Sequence, residues 1–255
     1  MIPRLRPAPC AIAGYRLRRN GKAAVGGDGM KARTEVHPRI VAALDAQLAH
    51  WRAAIDAGAQ RVGWKMGLGV EPVEALIGGD PVIGYLTSAT VIDSGQAYSA
   101  SASRELHAET ELAIVVGDDV AGDVDLDGAR DAIAGCAVAL ELVDVAAPPH
   151  DLEGIVEANV YHRAVALGPP RPWIRGQRSV ARALVNDRPV EEATLADDYA
   201  PTVRAVAQLL AAVGERLQAG DRILSGSLTH VPVAPGDHVA AIIDDLGSLD
   251  ATITA

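Results

Sequence analysis

Three glutamates give this sequence its clearest chemical signal. Glu109 and Glu111 are separated by one residue and lead into the apolar run 112–116, which ends at a glycine. Such a run, rich in β-branched residues, is typical of a buried strand. Alternate strand residues share a face, roughly 6.5–7 Å apart along the chain, so we expect both carboxylates to point to one spot beside the core. Glu141 lies in a second apolar run, 137–145.

Carboxylates beside an apolar core need a compensating charge. Burial of an unpaired carboxylate is costly, and a hard divalent cation with oxygen ligands is a common remedy. A Glu-x-Glu pair alone is frequent on solvent-facing strands, so the apolar continuation and the second run are what favour a metal role. The pattern therefore predicts a magnesium site at Glu109, Glu111 and Glu141, with manganese as an alternative.

The overall composition is that of a globular protein. The chain has 255 residues, of which 49% are hydrophobic and 22% are charged, and this length suits one domain with a full core. Because the sequence contains no Phe, Val, Ile, Leu and Ala must fill nearly all of that core. No apolar stretch approaches the ~20 residues that cross a bilayer, so we predict no membrane-spanning helix.

Charge and cysteine content restrict the partners and the compartment. The net charge of −10 argues against non-specific binding to nucleic acid or to anionic membranes. An anionic substrate remains compatible with it, because a bound cation reverses the local field. The two cysteines, Cys10 and Cys136, lie far apart in different contexts. A disulfide framework is therefore not expected, which favours a reducing compartment, and we predict a cytoplasmic protein.

Residues 1–29 differ from the rest of the chain. They hold six of the 23 Lys and Arg residues but one of the 33 acidic residues, and Met30 follows them. They lack the continuous apolar centre of a secretion signal. We expect a start codon assigned too far upstream or a disordered tail, with an organelle-targeting or nucleic-acid-binding arm as the alternative. Residues 30–255 are then expected to form a single catalytic domain.

Hydrophobic periodicity predicts two long helices among many short strands. The first helix, 38–57, has a proline near its start and a glycine after its end, and the second, 201–217, carries one apolar stripe. A short helix is expected at 126–134. The predicted strands are 62–66, 82–92, 109–117, 137–145, 161–167, 180–185, 222–228, 238–243 and 249–254. Because regular βαβ alternation is missing, we predict an α+β fold with a curved or rolled sheet.

Five motifs in a fixed order make the sequence similar to a known family. They are GWKMGL at 63–68, GYLT at 84–87, ETELA at 109–113, ALELVD at 139–144 and AGDRILSGSLT at 219–229, the last followed by PGD at 235–237. This order resembles the fumarylacetoacetate hydrolase superfamily over about residues 36–255. Within the superfamily, the chain looks most similar to the branch of 2-keto-4-pentenoate hydratases and 4-oxalocrotonate decarboxylases.

The resemblance implies a fold, a cofactor and a substrate class. The fold would be a β-rich rolled mixed sheet like the fumarylacetoacetate hydrolase C-terminal domain, with a few flanking helices. Mg²⁺ would be bound by Glu109, Glu111 and Glu141, would be chelated by a small 2-oxo acid, and would stabilise its enolate. Lys65 matches the family's catalytic lysine and would offset the charge of the carboxylates. The family also implies a homo-oligomer, as a dimer or a multiple of dimers.

Other candidate residues are supported by weaker signals. Ser227 and Thr229 can offer hydroxyl groups to a substrate carboxylate, although a tight turn explains the same segment equally well. The chain has Val82 where the hydratases have an aspartate, and Tyr161 or His162 where they have a serine. Both departures put water addition in doubt. His162 is a candidate catalytic acid or base, since histidine titrates at about 6.5, and a hydrogen-bonded structural histidine is the alternative.

These observations lead to a ranked set of functions. We expect a Mg²⁺-dependent lyase that acts on a small 2-oxo or 2-hydroxydienoic acid, and a hydratase of the 2-keto-4-pentenoate type is preferred. A 4-oxalocrotonate-type decarboxylase is the second choice, and a C–C bond hydrolase of acylpyruvates is the third. Outside the enzymes, the alternative is a non-catalytic relative that binds a 2-oxo acid, which the departures at Val82 and 161–162 motivate.

Overall fold

The computed structural model describes residues 36–67, 81–146, 151–173, 176 and 178–255. The helices in this part of the chain are α1 (Pro38–Asp56), α2 (Leu126–Asp131), α3 (Leu152–Glu157) and α4 (Ala200–Ala212). The strands are β1 (Arg61–Gly67), β2 (Val82–Thr87), β3 (Ala97–Ser99), β4 (Leu106–Val116), β5 (Ile133–Asp144), β6 (His162–Leu167), β7 (Val180–Val185), β8 (Arg188–Thr194), β9 (Arg222–Leu224), β10 (Thr229–Pro232), β11 (His238–Ile243) and β12 (Gly247–Thr254). The expected extension at 1–29 lies outside the described residues. None of the described helices is long and apolar enough to cross a membrane.

The strands form two mixed sheets. The first has seven strands in the order β2-β1-β9-β4-β5-β6, with β10 also paired to β4. The second has five strands in the order β3-β12-β11-β7-β8. Most neighbours are antiparallel, whereas β1 with β9 and β12 with β3 are parallel. The arrangement confirms the predicted α+β class with a β-rich mixed sheet.

Strand β4 is the centre of the first sheet. It pairs along one edge with β5 and along the other with β9 and then β10, which follow each other beside it. The sheet is strongly curled. Lys65 Nζ of β1 lies 2.6 Å from Glu141 Oε1 of β5, although β9 and β4 lie between these two strands in the sheet. Curling therefore brings residues from non-neighbouring strands to one place.

The two faces of the curled sheet bury different side chains. The face that carries the glutamates also holds a separate cluster of small and medium aliphatic side chains, namely Leu86, Ala113, Ala137, Ala139, Val165 and Leu224. The opposite face contributes larger residues such as Leu112, Ile114 and Leu140 to the main core. Helices and the second sheet complete that main core, so the glutamates lie on the narrower, alanine-lined side.

Several element boundaries differ from the sequence-based expectation. The helix predicted at 201–217 ends at Ala212, because Gly214 adopts a positive φ of 74°. The strand predicted at 82–92 ends at Thr87, where a turn of 3₁₀ helix, Ser88–Thr90, begins. The sequence does not predict β3, β8 or β10, since two of them are very short and β8 is exposed without apolar alternation.

Candidate metal centre

The structure brings the three predicted glutamates together. Glu109 and Glu111 lie on the same face of β4, and antiparallel register places Glu141 of β5 directly opposite Glu109. One carboxylate oxygen from each residue lies within 4.8 Å of the other two. Glu111 and Glu141 are almost completely buried, and Glu109 is 9% exposed. The arrangement is a compact set of three hard oxygen donors, which suits a small divalent cation.

Each of the three carboxylates has one oxygen held by a protein donor. Lys65 Nζ and His162 Nδ1 both contact Oε1 of Glu141, at 2.6 Å and 2.7 Å. The backbone N–H of Gly226 donates to Oε2 of Glu111 at 2.9 Å. At the third carboxylate, His230 Nδ1 lies 2.6 Å from Oε1 of Glu109. The donors come from different elements of the fold, and each fixes its glutamate while using only one oxygen.

The remaining oxygens fit a cation. Oε2 of Glu141 is buried and has no hydrogen-bond partner. A buried acceptor without a partner costs roughly 1–3 kcal/mol, and more when it is charged. Glu109 and Glu111 likewise each have a second oxygen, Oε2 and Oε1 respectively, that takes no part in the contacts with His230 and Gly226. Donor set and orphaned oxygen therefore both match a divalent ion bound by one oxygen from each glutamate.

The electrostatics of the site point the same way. Burial, and then the neighbouring Glu141 and Glu109, raise the pKa of Glu111 well above its usual value. Burial also opposes ionisation of Glu141, but the Lys65 ammonium and His162 outweigh it and lower its pKa to about 2. Burial disfavours the charged Lys65 as well, yet the three carboxylates raise its pKa. One lysine cannot neutralise three carboxylates, so the centre retains unbalanced negative charge.

Lys65 is positioned by an unusual turn. Its Nζ donates to the carbonyl of Val160 at 3.1 Å, in addition to the contact with Glu141. Asn159, Val160 and Tyr161 all have positive φ, between 50° and 65°. This conformation is strained for a β-branched residue such as Val160. The Asn159 side chain fixes the turn by accepting from the N–H of Tyr85 at 2.7 Å and donating to its carbonyl at 3.0 Å.

Two glycines allow this close packing around Lys65. A Cβ at Gly84 would lie 2.7 Å from Oδ1 of Asn159 and 2.9 Å from Cγ of Lys65. A Cβ at Gly67 would lie 2.6 Å from Cγ1 of Val160. The GWKMG and GYLT motifs therefore contain glycines because the turn at 159–161 lies directly against both strands.

His162 lies in the centre with both ring nitrogens engaged. Nδ1 contacts Glu141, and Nε2 lies 2.9 Å from Oγ1 of Thr90. Its side chain is 1% exposed. This placement favours a role in orienting Glu141, and the catalytic acid or base role of His162 stays a prediction.

The two predicted hydroxyl residues are placed differently from the glutamates. Ser227 Oγ donates to the carbonyl of Thr229 at 2.7 Å, within the turn before β10. Thr229 Oγ1 accepts from the backbone N–H of Thr110 at 3.2 Å. Both hydroxyls thus take part in local hydrogen bonds, and a role in substrate binding stays a prediction.

Val82 and Asp144 are two further positions that supply no carboxylate to the cluster of glutamates. Val82 is fully buried at the start of β2, so no carboxylate is available at the position where the hydratases have one. Asp144 is also buried, but its two oxygens accept from the backbone N–H groups of Arg104 and Glu105. Asp144 therefore fixes the chain before β4 and is not among the converging carboxylates.

His230 is the site residue that sequence reasoning misses. It stands in no recognisable motif, and it reaches Glu109 only because β10 pairs with β4 in the register that opposes the two residues. His107, two residues before Glu109, packs its ring against His230 with centroids 4.3 Å apart. Burial, and then the His230 ring, lower the pKa of His107. A histidine two residues before the ETELA motif is the one signal in the sequence for this pair.

Comparison with known proteins gives the family and the neighbours of this chain. Residues 51–254 match the model of the fumarylacetoacetate (FAA) hydrolase C-terminal family. A 4-oxalocrotonate decarboxylase of a Pseudomonas species is 28% identical in an alignment of 211 residues that covers 78% of this chain and 81% of the relative. Both matches agree with the superfamily and the branch that the sequence motifs indicate.

Solved structures agree with this result. The 4-oxalocrotonate decarboxylase from Pseudomonas putida G7, complexed with magnesium and adipate, has a TM-score of 0.76 at 25% identity, over 84% of this chain and 86% of that chain. The fumarylpyruvate hydrolase from Pseudomonas aeruginosa, in complex with Mn²⁺ and pyruvate, has a TM-score of 0.61 at 17% identity, over 76% and 90%. At 17% identity, the second similarity shows a shared fold alone.

Proposed function

The chain belongs to the fumarylacetoacetate hydrolase C-terminal family, and we propose that it is a divalent-metal-dependent decarboxylase of a 2-oxo acid of the 4-oxalocrotonate type. The observation that carries the proposal is the set of three glutamates whose ligand oxygens lie within 4.8 Å of one another. The similarity to 4-oxalocrotonate decarboxylases supports the substrate class. The magnesium in the related decarboxylase structure supports the choice of ion.

Glu109, Glu111 and Glu141 would hold the ion, each through one oxygen. A divalent ion bound there would stabilise the negative charge that develops on the oxygen of a 2-oxo acid. His162, His230 and Gly226 keep the three carboxylates oriented, so little reorganisation is needed when the substrate binds.

Lys65 supplies a fixed positive charge beside the carboxylates. Its side chain is 4% exposed, and the contact with Glu141 holds the ammonium at the centre. Because the surrounding carboxylates raise its pKa, Lys65 stays protonated and can offset the charge of an anionic substrate. The expected role is electrostatic, and the ammonium can also donate a proton to an oxygen that becomes basic during the reaction.

The apolar lining of the site favours decarboxylation. The glutamate-bearing face is continued by a buried aliphatic cluster that includes Ala113, Ala137 and Ala139. Loss of CO₂ leaves the electron pair of the broken C–C bond, and with it the negative charge, on the enolate that remains, and this step is favoured where water does not solvate the departing carboxylate. Val82, in place of an aspartate, keeps the neighbouring surface apolar as well.

A hydratase, the function that the sequence alone favours, is the second candidate. The structural observation in its favour is the His107–His230 pair, whose buried ring nitrogens include three without a hydrogen-bond partner. These nitrogens lie beside Glu109 and are suited to binding water or a hydroxyl group.

Parallel assays separate these functions. The purified protein is incubated with Mg²⁺ and either 4-oxalocrotonate or 2-hydroxypenta-2,4-dienoate, and CO₂ release and loss of the dienoate are followed. We expect CO₂ release from 4-oxalocrotonate, abolished by Glu109→Ala. Hydration of the dienoate without CO₂ release would replace the decarboxylase with the hydratase. Turnover of acylpyruvates alone would indicate the C–C hydrolase, and Mg²⁺-dependent oxalate binding without turnover would indicate the non-catalytic relative.

We also propose a cellular compartment and an oligomeric state for this protein. We place it in a reducing, cytoplasmic compartment, because Cys136 is a free buried thiol and burial raises its pKa to about 12. We also propose that it forms a dimer or a multiple of dimers, as its family resemblance implies. Light scattering of the purified protein tests this assembly, and a monomer would contradict it.

A further inference from the structure

Gln47 is a polar residue in the buried face of α1. Its side chain is fully buried. The other buried residues of this helix are Ile40, Ala43, Leu44, Leu48 and Trp51. A carboxamide in an apolar core is costly unless its polar atoms find partners, so a leucine or a methionine would be the simpler residue at this position. The contacts of the carboxamide therefore decide what Gln47 does.

The Gln47 carboxamide joins two segments that are distant in the chain. Nε2 donates to the carbonyl of Ile83 at 3.0 Å and to the carbonyl of Val156 at 2.5 Å. Because a carbonyl oxygen can only accept, the side chain presents its NH₂ group to both, and Oε1 is left buried without a partner. Ile83 belongs to β2 and Val156 to α3, so one side chain of α1 holds these two elements together.

The end of α3 leads directly to the carbonyl that holds Lys65. The Val156 carbonyl also accepts from the backbone N–H of Asn159 at 2.9 Å, where the turn with three positive φ angles begins. Within that turn, the Val160 carbonyl accepts from Lys65 Nζ at 3.1 Å. Strained backbone of this kind persists only where surrounding contacts hold it. The carboxamide of α1 supplies one of those contacts, because it fixes the end of α3 against β2.

Strand β2 is held on both sides of the residue that Lys65 packs against. An added Cβ at Gly84 would lie 2.9 Å from Lys65 Cγ, so this glycine marks the contact. The α1 carboxamide binds β2 at Ile83, one residue earlier, and Asn159 binds it at Tyr85, one residue later. Two carboxamides from different elements therefore fix the strand and the turn between which the lysine side chain lies.

We propose that Gln47 is a positioning residue for Lys65, acting through α3, β2 and the turn at 159–161 without touching the lysine. The inference rests on the proposed function, in which the Lys65 ammonium offsets the charge of the substrate. Misplacement of a catalytic group by about 1 Å can cost on the order of 100-fold in rate. A helix that packs on the opposite face of the sheet from the glutamates thus controls the geometry of the site.

The small number of lysines in the chain makes the position of Lys65 measurable. The sequence contains Lys22, Lys31 and Lys65, so Lys22→Arg and Lys31→Arg together leave one lysine, which is labelled with ¹³C at Cε. Nuclear magnetic relaxation of this signal in the chelator-treated protein gives an order parameter for the end of the side chain. We expect a high value with Gln47 present, since the Lys65 side chain is 4% exposed and has two partners.

Two substitutions of Gln47 should loosen the lysine to different extents. Gln47→Met keeps the length of the side chain but has no N–H donor, and the order parameter should fall to about 0.6 or less, the range of flexible sites. Gln47→Asn keeps the carboxamide but is too short to reach both carbonyls, so we expect an intermediate value. With 4-oxalocrotonate and Mg²⁺, kcat of Gln47→Met should fall about tenfold or more, because the ammonium is displaced.

Leu44→Ala is the control for a general loss of stability. It removes a buried side chain from the same face of α1 and should destabilise by an amount typical of large-to-small core substitutions. At a temperature where circular dichroism shows every variant to be folded, Leu44→Ala should keep the wild-type order parameter and the wild-type kcat. Its hydrophobic side chain makes no hydrogen bond to β2 or α3, so the turn beside the lysine is left in place.

The possible outcomes separate this inference from the proposed function. An unchanged Lys65 signal in Gln47→Met, or an equal loosening in Leu44→Ala, would overturn the inference and leave the proposed function intact. A flexible Lys65 with unchanged kcat would overturn the role of Gln47 in the reaction. Absence of turnover by the wild type would instead remove the proposed function. The relaxation measurement needs neither metal nor substrate, so it would still decide whether Gln47 holds Lys65.

Discussion

The two histidine–glutamate pairs of this site have opposite surroundings. Around Glu141, the partners Lys65 and His162 are almost fully buried, and each nitrogen of the His162 ring has a partner. Around Glu109, the partners His230 and His107 are partly exposed, and most of their ring nitrogens have none. In the inner pair, His162 and Glu141, both ring nitrogens of the histidine have protein partners, whereas the outer pair, His230 and Glu109, with the neighbouring His107, leaves three ring nitrogens without one.

This difference separates two tasks that one site must perform. The inner group, which consists of Lys65, His162 and Glu141, holds the Glu141 carboxylate in place. Lys65 and His162 contact the same oxygen of Glu141 and leave the other oxygen free. The outer group, which consists of His107, His230 and Glu109, is less completely buried, and three of its ring nitrogens have no hydrogen-bond partner. We therefore expect changes in the inner group to affect stability and metal binding, and changes in the outer group to affect ligand choice.

Lys65→Met should produce the largest effect on the inner group. Removal of one partner of a buried ion pair typically destabilises by about 3–5 kcal/mol, because the other charge is left buried and unpaired. We expect a loss of this size in the free energy of unfolding, measured with denaturant in the presence of a chelator. Adding Glu141→Gln to Lys65→Met should recover part of the loss. Arg39→Met, at an exposed ion pair with Glu153, is the matched control and should change stability far less. Equal losses in the free energy of unfolding for Lys65→Met and Arg39→Met would contradict the comparison.

The pH dependence of stability should reveal the excess negative charge of the site. Because the pKa of Glu111 is raised, the metal-free folded protein keeps a proton on this carboxyl group at pH values where the unfolded chain has lost it, which is above about pH 4.5. Stability should therefore fall as the pH rises from about 4.5 through the raised pKa of Glu111. On the acid side, the stability that ionised Glu141 contributes should be lost as the pH falls from about 4.5 towards 2.

Mg²⁺ should remove the decline on the alkaline side, because it stabilises the ionised form of Glu111. At a hundred times its dissociation constant, a ligand that binds only the folded state stabilises it by about 2.7 kcal/mol. Melting temperatures recorded across this pH range, with Mg²⁺ and with a chelator, check both statements. Parallel curves under the two conditions would show that the ion does not bind at Glu111.

Gly84→Ala should disturb the inner group from outside the charged residues. The new Cβ would lie 2.7 Å from Asn159 Oδ1 and 2.9 Å from Lys65 Cγ, so both side chains must move. Overpacking of this kind costs about 1–3 kcal/mol, and we expect a fall in the unfolding free energy together with weaker metal binding. Gly95→Ala is the contrasting variant, with backbone strain but no overpacking, since Gly95 has a positive φ of 83° and no atom within 4 Å of the added Cβ, whereas Gly84 has no positive φ. A Gly84 variant that behaves like wild type would show that the turn at 159–161 does not position Lys65.

His162→Phe should have the smallest effect of these substitutions on the inner group. Lys65 would still hold Glu141, so the variant should fold, but one of the two donors to Oε1 would be lost. Partners of metal ligands typically contribute about 10–100-fold in affinity, and we expect roughly the lower value for Mn²⁺ measured by electron paramagnetic resonance. His238→Phe, at an exposed histidine beside Asp250, should leave the affinity unchanged.

The sequence predicts the inner group better than the outer one. The alternation of residues in one predicted strand indicates Glu109 and Glu111, and a second apolar run indicates Glu141. The pairing of these two strands is then the one further condition that brings the three glutamates together. Lys65 is found from a motif and not from any physical pattern, because its contact with Glu141 depends on the curl of the whole sheet. The signals for α1 are equally local, since Pro38 begins the helix and Gly58 follows it, and that helix agrees with its prediction to within a residue.

The outer group depends on a pairing that no local pattern reveals. His230 lies more than a hundred residues after Glu109, in a four-residue strand that the sequence does not predict. The same applies to the turn at 159–161, where three consecutive positive φ angles are imposed by contacts with Tyr85 and Lys65. Long-range register and tertiary strain therefore set what the sequence alone leaves open.

The central claim is that one divalent ion binds between the three glutamates. Calorimetric titration of Mn²⁺ into the chelator-treated protein tests it most directly, with Glu111→Gln as the test variant and Glu105→Gln, at an exposed glutamate just before β4, as the control. We expect one ion per chain in the wild type and in Glu105→Gln, and a loss of affinity in Glu111→Gln larger than the roughly 10–100-fold change typical of outer partners. Binding by Glu111→Gln with the wild-type affinity, or no saturable binding by the wild type, would contradict it.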